Sequence, residues 1–547
     1  MNNQSQLRQK RLFLDSHIVK AVLIVSLPAL VIAIMSGLYA FADQLLMVNL
    51  IPKLSSSQHM FAADQNAYNY FKEHYDGWIA NNIHVSWCDP ATVVRAAVAY
   101  SAPILVIVNA AALLIGNGVS INYTRYNGQK RYDEARRAWT LGFWSNLIFA
   151  ILISLIIIVS TESIIHLEQG NSLQKSLDQI KNQVSDQDFN CIKAVYQIAF
   201  DKTFEFDKLF IYIVGAGATF AVFTQFFALL VISEGKQAFI VIVAVICNAF
   251  NILLDFLLIK YAQLAMLGGA IALVFGWALN ALIYFVYIWY LGNKGVINLH
   301  IKYLKHLNWS GLNMWSIFSL GLPSFLRNLS MALAATIQLW LLAKVTAHTG
   351  GGYSNSEYQD IYGAINPIYN LFYTAEVGII NGARITCAYN YGAKNYKRVR
   401  QSYWILNGLG ALYGLITFVI IYFTLSGPLL SLFNITKNAN PTKFQHAQLM
   451  LLIAMLQMPI FSIGIGGMML FQATNRWWQA SLCGIMQGLI CAVPISFLMQ
   501  WAAITHQNIN LFLWNPFLIL CITVIIVFVW SVSYMYKNFV KNNEQIS

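Results

Sequence analysis

The chain has 547 residues, 58% of them hydrophobic and only 10% charged, with a formal net charge of +12. A soluble protein of this length needs more charge to cover its surface, so that class is excluded. Its apolar runs are continuous rather than alternating, which excludes a membrane β-barrel.

Apolar runs of about 20 residues recur, the length that a hydrocarbon core about 30 Å thick demands of a spanning helix. Twelve spans are expected, at 18–50, 92–124, 138–165, 206–232, 238–260, 267–292, 312–346, 361–390, 402–425, 446–472, 477–502 and 511–536. The fold class is an all-α polytopic membrane protein. The basic "RQKR" (8–11) precedes the first span and no small-residue cleavage site follows it, so this span is read as retained.

Lys and Arg set the orientation. One set of connections holds "RQKR", "RYNGQKRYDEARR" (125–137), "NKGVINLHIKYLK" (293–305), "GAKNYKRVR" (392–400), Lys537 and Lys541. The opposite set carries Asp178, Asp186, Asp188, Glu205 and Asp207. Both termini are therefore expected in the cytoplasm of a multi-pass plasma-membrane protein, with the positive charge facing anionic lipid. Nucleic-acid binding would need a basic, aromatic groove on a soluble segment, and none is present.

The chain repeats itself. "GVSINYTRYNGQKRYDEARR" (118–137) aligns without a gap with "GARITCAYNYGAKNYKRVRQ" (382–401), and "SLPALVIAIM" (26–35) with "GLPSFLRNLSM" (321–331), placing Pro28 opposite Pro323. Six spans separate the matching elements, an even number, so the two six-helix lobes form a parallel repeat around a central cavity. Rocking one lobe against the other would open that cavity to alternate sides. Pro28 and Pro323 are hinge candidates; the other mid-span prolines read as ordinary kinks. The chain divides into a cytoplasmic segment 1–17, an N-lobe 18–292, a linker 293–311, a C-lobe 312–536 and a cytoplasmic tail 537–547.

The N-lobe carries outside insertions at 51–90 and 166–205, expected to pack together as a cap; Leu173, Leu177, Ile180 and Val184 form a helical stripe in the second. Cys88 and Cys191 fall in these insertions and could form a disulfide, since that side is oxidising. The other five cysteines fall in spans and read as small hydrophobes.

Ionisable groups well inside spans are Asp43, Asp255, Glu376, Arg327 and Arg384. Each costs several kcal/mol in a bilayer and is a functional hypothesis by default. Asn251 precedes Asp255 by four, so both project from one helix face. Asp43, Asn251 and Asp255 together in one lobe read as a site for a coupling proton or sodium ion; the competing reading is structural carboxylates held by hydrogen bonds. Glu376 and Arg384 lie eight residues, about 12 Å, apart on one helix, too far to pair. Glu376 with Arg327 is the better ion pair, read as structural, and Arg384 as snorkelling at a helix end. No phosphate-binding glycine loop, no His/Cys metal spacing and no nucleophile with its base is found, so neither an enzyme, an ATP-driven pump, a metal nor a cofactor is expected.

The combination of "SLPALVIAIMSGLYAFADQLLM", "NILLDFLLI", "LGGAIALVFGW" (267–277) and "CAYNYGAKNYKRV" (387–399) resembles the multidrug and toxic compound extrusion (MATE) transporters, from about residue 18 to 502. The resemblance implies an antiporter, acting as a monomer in the bilayer, that exports amphipathic, cationic organic compounds against a proton or sodium gradient. In the branch similar to DNA-damage-inducible protein F, a first-span acid works with an Asn and Asp four apart on the fifth, and Asp43, Asn251 and Asp255 stand at those positions. The sixth-span threonine of that branch is Leu273 here, which favours protons over sodium. Another branch uses acids on its seventh and tenth spans; Arg327 stands on the seventh here and the tenth has none. Two alternatives remain: a lipid or lipid-linked-sugar flippase on the same scaffold, and a receptor working through its outside loops.

Overall fold

The computed structural model of the protein describes residues 14–81, 83, 85, 88–169, 172–304, 314–348, 355–433, 435–437 and 441–540. The first part of the expected segment 1–17 ("RQKR" included), residues 305–311 of the linker and the tail beyond 540 lie outside these. No strand occurs among the described residues.

Six long helices form the first lobe: α1 (Ile18–Leu50), α3 (Pro90–Gly128), α4 (Tyr132–Gln169), α6 (Asp186–Ser233), α7 (Gln237–Phe256) and α8 (Ala265–Asn293), with α2 (Gln65–Ala80) and α5 (Ser172–Ile180) in the connections. The second lobe holds α9 (Met314–His348), α10 (Asn355–Gly392), α11 (Tyr396–Ile420), α12 (Pro441–Leu456) running into α13 (Met458–Ala473), α14 (Trp477–Ile485) running into α15 (Ala492–Thr505), and α16 (Asn515–Met535). Eleven helical segments are long and apolar enough to cross a membrane. The twelfth crossing is α10, whose composition alone does not qualify it. It carries Glu376 and Arg384, and it tolerates them because protein rather than lipid surrounds it: Ala375, Glu376, Ile380, Ala383 and Arg384 are all buried.

Helix ends follow local chemistry. Pro52 sits in the turn Ile51–Lys53 that closes α1. Ser185 caps α6, accepting the Asp188 N–H at 3.2 Å. The segment 166–205, expected as an outside insertion, is helical for most of its length. α6 begins at Asp186 and runs 48 residues, about 70 Å, so its first turns stand outside any bilayer. The cap forms as a cluster in which Phe61, Tyr68, Phe71 and Trp78 of the first insertion pack on Leu177, Ile180, Ile192 and Val195 of the second. Tyr70 adds a hydrogen bond to Asp188 at 3.0 Å. Cys88 and Cys191 both border this cluster, yet both are free thiols. No disulfide joins them: the Cys191 thiol instead donates to the Ala67 carbonyl at 3.0 Å.

The lobes meet along two antiparallel seams that the internal repeat exchanges. In one, α1 lies on α10: a Cβ on Gly382 would stand 2.7 Å from Ser26 Cα, one on Gly378 2.5 Å from Ala33 Cβ, and one on Gly37 2.7 Å from Thr374 Oγ1. In the other, α3 lies on α9: a Cβ on Gly118 would stand 1.8 Å from the Ile317 carbonyl oxygen, and one on Gly321 1.6 Å from that of Leu114. Gly382 is the repeat partner of Gly118, and Ser26 that of Gly321. Small residues thus let backbones touch at equivalent places in both seams. Arg384 donates to Asn117 at 2.6 Å across the lobes, and Asn122 donates to the Ser316 carbonyl at 3.2 Å. These contacts close the basic end, where the Lys- and Arg-rich connections gather. Arg384 is buried in them and does not snorkel, because Asn117 offers it an acceptor inside the seam.

Candidate functional site

Three helices of the first lobe build a polar site remote from the basic end. α1 contributes Tyr39 and Asp43, one turn apart. α7 contributes Asn251 and Asp255, again one turn apart, and directly beyond them the helix widens into a π turn over Leu257–Tyr261. α8 contributes a face without side chains. A Cβ on Gly276 would stand 2.3 Å from Asn251 Nδ2, and one on Gly269 4.0 Å from Asp43 Oδ1. The α7–α8 turn passes through left-handed Gln263 and Ala265 (φ 54° and 48°), and Ser55 donates to Gln263 Oε1 at 2.9 Å, tying the turn to the chain beyond α1.

The structure brings together Asp43, Asn251 and Asp255, which are 7%, 4% and 0% exposed. The two carboxyls are close neighbours, and Tyr39 lies near Asn251. Asp43 Oδ1, both oxygens of Asp255 and Asn251 Oδ1 have no donor among the described residues. Two ionised carboxylates side by side can only accept, so neither satisfies the other. One proton converts their contact into a hydrogen bond, and one monovalent cation between them would neutralise half of their charge. Leu273 is buried on the same helix as the two glycines and adds no ligand.

The second lobe does not assemble the expected ion pair. Arg327 donates to the Tyr373 hydroxyl and lies 5.8 Å from the centre of its ring. Glu376, one turn along α10, is 0% exposed and lies beside the Ser462 backbone. Neither of its oxygens has a hydrogen-bond partner among the described residues. Tyr373 takes the guanidinium that the spacing assigned to the carboxylate.

Two further acids escaped the sequence reading. Asp207 is fully buried in α6, with neither oxygen partnered among the described residues; its place next to a polar helical extension made it look like an outside-loop acid. Glu234, in the turn before α7, is buried at the basic end and accepts a hydrogen bond from Tyr123. Burial pushes its carboxyl up to about 7. A single Glu in a "SEGKQ" turn gives no signal of burial. Among the described residues no group of three His, Cys, Asp or Glu could hold a metal ion.

A family model described as MatE matches residues 79–174 and 331–498, one stretch beginning in each lobe's early part. Together these stretches make up just under half of the chain, which is thus similar to the MatE family. An uncharacterized protein of Mycoplasmoides gallisepticum, a homologue of protein MG447, is 28% identical over 514 residues, covering 92% of this chain and 87% of the relative. Protein MG447 of Mycoplasma genitalium, also uncharacterized, is 25% identical over 516 residues, covering 93% and 90%. Among solved structures, an outward-facing multidrug resistance MATE family transporter of the MOP superfamily superposes with a TM-score of 0.72 at 15% identity, covering 96% of this chain and 98% of that one. A MATE structure in complex with MaL6 gives 0.70 at 16%, with the same coverage. A MOP superfamily transporter from Pyrococcus furiosus gives 0.69 at 16%, covering 96% and 97%. At these identities the structures share the fold, and with the MatE match they support a membrane transporter.

Proposed function

We propose that the protein is a secondary active antiporter that exports amphipathic, cationic organic compounds in exchange for protons by alternating access. The observation that carries this reading is the Asp43–Asp255 contact: two buried carboxyls, unpartnered as anions, on two helices of one lobe. A proton held there lets α1 and α7 pack together; its loss leaves two facing charges that push the helices apart. α1 also forms one seam with the second lobe, so this local repulsion acts on the contact between lobes. Pro28 and Pro323 sit two residues beyond Ser26 and Gly321 in the two seams, and serve as hinges. Sodium is the alternative ion; Leu273 at the sixth-span position disfavours it. The basic end faces the cytoplasm of the plasma membrane, the protein works as a monomer, and its nearest functional kin are of the DNA-damage-inducible protein F type.

A flippase of lipid-linked phosphate is the second reading. It is favoured by Arg327, a buried cation with no carboxylate partner among the described residues. Reverse polarity of the binding pocket has suggested a different function for the transporter from Pyrococcus furiosus on this fold.

The test is uptake of a fluorescent cationic dye into proteoliposomes under an imposed pH or sodium gradient. Antiport by protons predicts movement that follows the pH gradient and stops in Asp43→Asn. Movement without any gradient supports the flippase instead.

A further inference from the structure

The two repeated connections meet at the basic end and line an open groove of about 350 Å³. Lys130 and Arg131 line it from the first lobe and Lys394 from the second. The backbones there are in contact: a Cβ on Gly128 would stand 2.8 Å from the Tyr389 carbonyl oxygen, and one on Gly392 2.7 Å from that of Arg125. Lys130 and Lys394 are repeat partners, and both adopt left-handed backbone, φ 61° and 59°. That conformation is strained for a residue with a side chain, yet both repeats place a lysine in it. Neither lysine has an ion-pair partner among the described residues. Arg131 pairs with Glu134. Three cations against one carboxylate leave the groove in want of an anion. It stands where two long helices, α3 and α10, end.

We propose that this groove binds a phosphate group, on an anionic lipid head group or on a free phosphate compound, and that the bound group bridges the two lobes. Binding requires nothing of the antiport reading. Only its consequence rests on that reading: because the ligand touches both lobes, it favours the closed basic end over the open one.

Native mass spectrometry of the full chain in detergent tests this, with phosphatidylglycerol, phosphatidylcholine and inorganic pyrophosphate as probes. The double variant Lys130→Gln/Lys394→Gln is set beside Lys302→Gln/Lys537→Gln, which removes two exposed lysines elsewhere on the same end. The proposal expects binding of phosphatidylglycerol or pyrophosphate over phosphatidylcholine, roughly 30-fold weaker in the first pair, near wild type in the second, and restored by Lys130→Arg/Lys394→Arg. Phosphatidylglycerol alone identifies a lipid head group; pyrophosphate as well identifies a general phosphate site. Slower amide exchange at 128–131 and 392–394 with the ligand supports bridging. Equal loss in both lysine pairs, or no preference over phosphatidylcholine, overturns the site. The assay uses no gradient, so a failure of antiport leaves this result unaffected.

Discussion

At the scale of residues, the contrast between the lobes lies in what each buried acid meets. Asp255 meets another carboxyl, whereas Glu376 meets backbone and apolar packing, with its expected partner Arg327 turned to Tyr373. A carboxylate with no partner in a low-dielectric interior destabilises the fold when ionised, and an amide of the same shape does not. Glu376→Gln is therefore expected to melt at or above the wild-type temperature. A loss of more than about 4 °C would show that a partner had been removed. Glu234 gives a pH dependence of known sign. Its carboxyl is raised from 4.5 to about 7 by burial. The native state therefore holds a proton that the unfolded chain releases earlier, and the stability this brings is full below pH 4.5 and lost as pH rises through 7. The range is worth about 3 kcal/mol. Glu234→Gln keeps the acceptor for Tyr123 and removes the titration, so its melting advantage over wild type should be larger at pH 8 than at pH 5. An equal advantage at both would place the carboxyl in its ordinary range. Sequence alone named Asp43, Asn251 and Asp255, because four-residue spacing on an apolar helix is visible in one dimension. It could not see Asp207 or Glu234, since burial of an acid beside a polar stretch depends on which helix covers it. It misassigned Glu376 to Arg327 because spacing orders residues along a helix but leaves open what the neighbouring helix offers.

At the scale of elements, the repeat was legible and the seams were not. The glycines of "LLIGNG" (113–118) and "FSLGLP" (318–323) are visible in the sequence, but what they pack against is not. The structure gives two of them one role: Gly118 and Gly321 bring α3 and α9 into backbone contact at the basic end. A methyl group on Gly321 has no space, since the Leu114 carbonyl is backbone and cannot turn aside. Gly321→Ala should cost about 1–3 kcal/mol and speed amide exchange around 114–118 and 317–321, while Gly408→Ala, which meets nothing within 4 Å, should do neither. Unchanged melting and exchange in Gly321→Ala would mean that the seam is looser than the contacts described. The cap was legible as a pair of polar insertions, but its helical continuity with α6 was not, because the outer turns of α6 lack an apolar stripe long enough to declare one helix.

At the scale of the whole molecule, one arrangement links the site to the seams. α1 holds Asp43 toward α7 on one side and packs along α10 on the other, so it belongs to the N-lobe by chain order and to both lobes by contact. In the proposed mechanism a change in charge between α1 and α7 would act on the boundary that parts when the basic end opens. In that mechanism Asp43 and Asp255 act as one unit that carries the coupling cation. Its most direct test is gradient-driven dye transport in proteoliposomes by wild type, Asp43→Asn, Asp255→Asn and the double variant, each checked for folding by its melting temperature. Either single substitution is expected to abolish gradient-driven transport, with the double variant no worse than either one. A folded Asp43→Asn protein that still follows the gradient would contradict the mechanism.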